Sequence, residues 1–273
     1  MRTEVRDALV RATNGLLGSR QLNQLVRFDP VLRLVEERPA GTLLDAGSGT
    51  TGVSSFLAEP RTAIALDVEF DDGAGPAPRA PTVARVLGDV RALPFRAASA
   101  DVVVAVDLLE HVPPPDRRRA VAELCRVARL RAVIACPTGT EALAADAEIA
   151  SRLRSRGRQS PPWLQEHLDL GFPDLEELTA AAQPFGRVGT VANESISAHR
   201  RLILAELNPL TFLPLRLVAL VLSLALRSGR RWARASARSA LHAIQGRDKD
   251  RAYRTVLSVD VDSVGQDGRQ NSL

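Results

Sequence analysis

Lysine is nearly missing from this chain: only Lys249 is present among the 36 Lys and Arg of 273 residues. Arginine use this complete reflects overall composition more than adaptation to a polyanion, so the formal charge of +4 argues for no partner by itself. Cysteine is equally scarce. Cys125 and Cys136 lack C-x-x-C spacing and fall inside predicted helix and strand, which leaves no disulfide framework and fits small buried hydrophobes in a reducing compartment. No Ser/His/Asp pattern or zinc-type cluster is apparent. Charges at Arg6, Asp7 and Arg11 interrupt any leader pattern, so a cytoplasmic protein is the expectation. The longest apolar stretch, Leu210 to Leu226, contains Pro214 and Arg216, and its uninterrupted part from Leu217 is too short to span a bilayer. With 45% hydrophobic and 25% charged residues, wholesale disorder is excluded. The length fits one α/β domain with an appendage.

What is present centres on LLDAGSGTTG, Leu43 to Gly52. Two leucines close an apolar strand, Asp45 follows, and Gly47, Gly49 and Gly52 give G-x-G-x-x-G spacing. That spacing turns a buried strand into a helix and lets backbone N–H groups approach a ligand. Downstream, strands are expected over 63–66, ending in Asp67, and over 83–87, 101–106 and 131–136. Asp67 comes at the distance where a carboxylate can accept the hydroxyls of a ribose. Helices are expected over 4–17, over 30–37 with Asp29 as cap, from Thr51 to Leu57, and after Asp116 as cap. Residues 73–81 read as a Gly/Pro loop. Alternating strand and helix gives a parallel doubly wound sheet. It brings Asp45, Asp67, Asp89 and Asp107 to one edge, where four carboxylates are costly unless a ligand's hydroxyls, amines or positive charge meets them.

In this order the motifs resemble the class I S-adenosylmethionine-dependent methyltransferases, in particular the type 11-like group acting on small molecules and glycans. The resemblance covers roughly Leu43 to Gly139. It implies a Rossmann-like α/β fold whose seven-stranded sheet is mostly parallel with an antiparallel last strand, and S-adenosyl-L-methionine as cofactor. By the same resemblance Asp45, Ala46, Gly47, Ser48 and Gly49 meet the methionine part, and Asp67 with Val68 the ribose. Asp89 and Val90, within Gly88 to Phe95, meet the adenine. Asp107 and Leu108 line the methionine side and lead into the acceptor side. A nicotinamide dehydrogenase explains the glycines and Asp67 but not Gly88-Asp89 with Leu93-Pro94-Phe95, nor Leu109-Glu110-His111-Val112-Pro113. A non-catalytic module that keeps the fold as a scaffold is the other alternative.

Methyl transfer from a sulfonium needs few special residues, because positioning supplies most of the rate and a base is needed only when the acceptor loses a proton. His111, just after the fourth strand, is the first candidate base; a loop-orienting role is the competing reading. His167 and Glu166, within Trp163 to Pro173, are the second candidates, with a loop staple as the alternative. Asp107, Glu110 and His111 also have the acid-x-x-acid-His spacing that accompanies a divalent metal in some ubiquinone-biosynthesis O-methyltransferases. Three ligands so close in sequence need not converge, and no metal is expected.

The expected layout is a helical cap over 1–40, a methyltransferase core over 41–200, a helical insertion over 201–250, a last core strand over 251–262 and a disordered tail over 263–273. Asp174 to Ala182 reads as a helix, and 186–192 with 254–261 as the closing antiparallel strands. The insertion passes from apolar residues to Arg227, Arg230, Arg231, Arg234 and Arg238 around Trp232. Membrane-surface contact through 210–238 and packing against the core or a partner both fit it. The methyl acceptor is expected to be a small molecule, glycan or lipid-linked species, methylated on oxygen. Nucleic acid is not expected, since no RNA-binding module accompanies the arginines.

Overall fold

The computed structural model describes residues 21–38, 41–49, 52–57, 62–70, 83–246 and 251–262. The helix expected over 4–17, the loop over 73–81 and the tail over 263–273 lie outside them.

In chain order the described elements are α1 (Leu22–Glu36), β1 (Thr42–Ala46), β2 (Thr62–Asp67), β3 (Val83–Leu87), β4 (Ala100–Val106), α2 (Arg117–Val127) and β5 (Ala128–Pro137), then α3 (Gly139–Arg154), α4 (Pro162–Leu170), α5 (Leu175–Ala182), β6 (Gly186–Ser195), α6 (Ile196–Glu206), α7 (Pro209–Leu226), α8 (Arg231–Gln245) and β7 (Ala252–Val261). The seven strands form one sheet in the order β3-β2-β1-β4-β5-β7-β6. β1 to β5 pair in parallel, whereas β7 runs antiparallel to both β5 and β6. This is the expected Rossmann-like doubly wound sheet, mostly parallel with an antiparallel end.

Side-chain alternation along the strands divides the core in two. Leu44, Val103, Ala105, Ala132 and Ile134 face α2 and α5, which contribute Val121, Leu124 and Leu178. Leu43, Val102, Val104, Val133 and Ala135 face the other side, covered by Val26, Val31 and Val35 of α1 and by Ala219, Ala237 and Leu241 of α7 and α8. The helices of the insertion therefore complete one face of the sheet instead of standing apart from it.

Three local expectations change. The helix expected at 30–37 starts at Leu22 and passes through Pro30. Proline has no N–H for the carbonyl four residues back. That carbonyl, on Val26, instead accepts from Asn193 Nδ2 and Gln245 Nε2, so α1 is stitched to β6 and α8 where its own ladder is broken. Pro214 is likewise accommodated inside α7. The helix expected after the glycine turn is a single 3-10 turn, Val53–Phe56, entered from an extended Gly52. Asp116 does not cap α2 through its side chain; its carboxylate accepts from Arg91.

Candidate active site

Because β1 to β4 run in parallel, their carboxyl ends form one rim, and the antiparallel register of β7 adds its first residues to it. Arg254 pairs with Pro137 at the end of β5 and with Asn193 near the end of β6. The rim therefore has two parts, one built around β1 to β3 and the other from β4 through β6.

In the first part Gly47 and Gly49 adopt the left-handed conformation, with φ of 70° and 53°. A Cβ on Gly47 would strike Leu108, whereas one on Gly49 would meet nothing within 4 Å. The turn is thus closed on the side of β4 and open above Gly49. Asp67 lies across that opening: its Oδ2 accepts from Gly49 N at 2.8 Å and its Oδ1 from Val68 N at 2.8 Å. Val68 is exposed beside it. Ala46 and Ser48 are buried under the turn, and Asp45 is buried with its Oδ2 accepting from Ser54 N. Burial pushes the Asp45 carboxyl up to about 7 against the pull of the Ser54 and Val53 amides. Asp89 is held by the Arg91 guanidinium, which keeps it below the usual carboxylate range, and Val90 is buried.

The second part is denser. Asp107, at φ 49°, accepts from Arg254 Nε at 2.7 Å and pairs with Arg27 of α1. Burial would raise its pKa, but Arg254 and Arg27 hold it well below the ordinary range. Arg254 also donates to Glu194, itself at φ 60°. Beyond Glu194 lies His199, whose Nε2 is 3.3 Å from Asp146 Oδ1; Tyr253 Oη and His167 Nδ1 reach the same carboxylate. Burial would lower the pKa of His199, but Asp146 and Glu194 raise it instead. Three acids (Asp107, Glu194, Asp146) thus face three cations (Arg27, Arg254, His199), and the buried network is close to neutral.

These partners correct the view that a ligand must meet all four rim carboxylates. The strand ends do share one rim. Asp107 and Asp89 are nevertheless neutralised by the protein's own arginines, and Asp45 is turned inward. Asp67 keeps a carboxylate at the open turn.

The candidate catalytic residues come together. His111 lies in a 3-10 turn, Leu109–His111, and its Nδ1 is 2.8 Å from Glu166 Oε2 of α4. The rings of His111 and His167 are 5.2 Å apart. The segment around Trp163, for which a loop staple was the alternative reading, is a helix, α4, and this lets Glu166 and His167 meet the β4 end together. Glu110 is fully buried behind them, with neither carboxylate oxygen bonded to another residue. Asp146, Glu194, His199, Tyr253, Arg254 and Arg27 were not found by sequence reasoning. No local motif marks them, and contacts such as His199–Asp146 and Arg254–Asp107 span 53 and 147 positions.

The glycine turn and Asp67 suit S-adenosylmethionine: open space above Gly49 admits it, and the Asp67 carboxylate offers lone pairs to hydroxyls. Residues 44–136, about a third of the chain, match the methyltransferase domain family. That stretch and the fold resemble those of class I methyltransferases, the group whose cofactor is S-adenosylmethionine. Among solved structures, a putative methyltransferase from an antibiotic biosynthesis pathway of Anabaena variabilis is 16% identical, with 86% of this chain and 99% of that one covered at a TM-score of 0.51. The geranyl diphosphate C-methyltransferase of Streptomyces coelicolor is 13% identical, covering 85% and 77% at 0.44. No curated protein matches the chain.

Proposed function

We propose that this chain transfers the methyl of S-adenosylmethionine to an oxygen of a small-molecule, glycan or lipid-linked acceptor. The observation that carries this reading is the His111–Glu166 pair at the end of β4, next to the glycine turn through Leu108. When bound, the cofactor supplies a methyl already activated by positive sulfur. Asp67 holds the ribose hydroxyls, and the turn amides that Asp45 braces from below orient the methionine part. His111 accepts the acceptor's hydroxyl proton on Nε2 while Glu166 accepts from Nδ1–H and steadies the imidazolium. Trp163 and Phe172, each packed edge-on against His167, wall the acceptor side and exclude water. Calorimetry with S-adenosylhomocysteine tests the reading, together with a tritiated-methyl transfer assay over a panel of hydroxylated acceptors. A chain that binds neither S-adenosylhomocysteine nor S-adenosylmethionine is the scaffold alternative instead.

The lipid-linked class is supported by α7. Leu210, Leu217, Val221 and Leu224 recur on one helical face and are all exposed, and Trp232 is exposed beyond them. Arg227, Arg230 and Arg231 follow at the end of that stripe and are exposed too. Apolar surface bordered by arginines and an exposed indole suits an anionic bilayer surface at the inner face of the membrane. No single described helix is long and apolar enough to cross a membrane. Full-length protein that stays in the soluble fraction during flotation with anionic vesicles removes this part of the proposal.

A further inference from the structure

Glu110 poses a problem of its own. It is a carboxylate with no exposure to solvent, and neither oxygen bonds another residue. Such a group is costly to bury alone. Burial and the nearby Asp107 charge hold its pKa well above the usual range. Arg254 and Arg27 act on it only as neighbouring charges, and neither donates a hydrogen bond to it. Two imidazoles face it. One ligand atom each from Glu110, His111 and His167 can be chosen so that all three lie within 4.8 Å of one another.

Both imidazoles are already oriented as metal ligands usually are. His167 Nδ1 is 2.7 Å from Asp146 Oδ2, and His111 Nδ1 is 2.8 Å from Glu166 Oε2. A carboxylate behind Nδ1 fixes that proton there and leaves Nε2 with the lone pair to offer. Asp146 is itself anchored by Tyr253 Oη at 3.0 Å. An ion with bonds of about 2.1 Å sets ligand separations of roughly 3.4 Å, so the three groups draw closer together when it binds.

We propose that Glu110, His111 and His167 bind a divalent first-row transition ion, with Asp146 and Glu166 as the groups that orient the two histidines. Two imidazoles and one carboxylate favour zinc, iron, cobalt or nickel over magnesium, which prefers an all-oxygen shell. The set differs from the one suggested by sequence spacing: Asp107 is taken by Arg254 and Arg27, and His167 arrives from α4 in its place. His111 is partly exposed, so remaining coordination positions open on the acceptor side. There the ion binds the acceptor's oxygen and acidifies its hydroxyl, whose proton leaves to solvent past His111. In the loaded state the ion, rather than the His111 imidazole, promotes deprotonation. This last step rests on the methyltransferase reading, whereas metal binding does not.

The test is titration of the chelator-treated full-length chain with Co²⁺, followed by its visible ligand-field absorption, with Zn²⁺ competition and elemental analysis after dialysis. One ion per chain is expected. Glu110→Gln, His111→Gln and His167→Gln should each weaken binding by about 100-fold or more, and Glu166→Gln by about tenfold, as for outer-shell partners elsewhere. His242→Gln, outside the cluster, should stay within about twofold. His111 and Glu166 are partly exposed, so their variants keep the test valid if the Glu110 variant misfolds by circular dichroism. Absence of Co²⁺ binding, or binding that survives in all the cluster variants, overturns the site. S-adenosylhomocysteine calorimetry on the same samples separates the two readings. Cofactor binding without metal overturns this site alone, and metal binding without cofactor overturns the methyltransferase reading alone.

Discussion

The two parts of the rim do related jobs with different means. Around β1 to β3 the contacts are short in sequence: Asp89 to Arg91 spans two positions, and Gly49 to Asp67 eighteen. They use backbone amides and one local guanidinium, and they leave Asp67 and Val68 near solvent. From β4 to β6 the contacts are long, with 147 positions between Asp107 and Arg254, 107 between Asp146 and Tyr253, and 55 between His111 and Glu166. They use buried ion pairs and hold two non-glycine residues at positive φ. A cofactor common to many enzymes can be met by a local, backbone-based motif. An acceptor peculiar to one enzyme is met by side chains that only the completed sheet brings together.

The largest expected effect falls on the long-range part. Arg254→Met strands Asp107 and Glu194 without their shared cation and should destabilise the fold by about 3–5 kcal/mol. Chemical denaturation checks this, and a loss under about 1 kcal/mol would mean the network is not needed for stability. Next in size is catalysis at the junction. His111→Ala should lower turnover by about 100-fold or more while S-adenosylhomocysteine affinity, read by calorimetry, changes little. Full activity would return His111 to an orienting role.

On the short-range part, Asp67→Ala should weaken cofactor binding by more than about tenfold, because charge-assisted hydrogen bonds to the ribose and to Gly49 N are lost together. Unchanged calorimetric affinity would remove Asp67 from the cofactor site. The smallest effect concerns protons. Folding raises Asp45 from 3.8 to about 7, so its neutral form is the favoured one in the folded protein, and stability falls as pH rises from about 4 through 7. Asp45→Asn should flatten that slope in pH-dependent denaturation. A cationic cofactor at the rim draws this pKa back down, so binding near pH 7 should release up to about half a proton. Binding enthalpies that do not vary among buffers of different ionisation enthalpy would break that link.

The contrast in contact range also explains what could be read in advance. The positions of Gly47, Gly49 and Asp67 were legible because each is written in backbone geometry within one βαβ unit. The sheet was legible, the closing antiparallel pair over 186–192 and 254–261 included, and Val102 to Val106 and Arg131 to Cys136 are apolar runs that fit strands covered on both faces. α1 was misplaced because Pro30 reads as a helix start. Only Asn193 and Gln245, more than 160 positions away, show how the freed Val26 carbonyl is satisfied. No motif falls within α3, so nothing local marks Asp146. For His111, Glu166 and His167, residue type was enough to nominate them, but spacing could not say that α4 would bring them to one point.

By itself, then, the order of residues determined an alternating α/β chain, a glycine turn, an acid at the end of the second strand and the edge on which they lie. These follow from periodicity and from backbone demands that act over a few residues. Tertiary structure decided which carboxylates the protein neutralises for itself, which stay available, and that Glu110, His111 and His167 share one point. Charge pairing and burial depend on distance in space, and β7 enters the rim only after the chain has closed on itself.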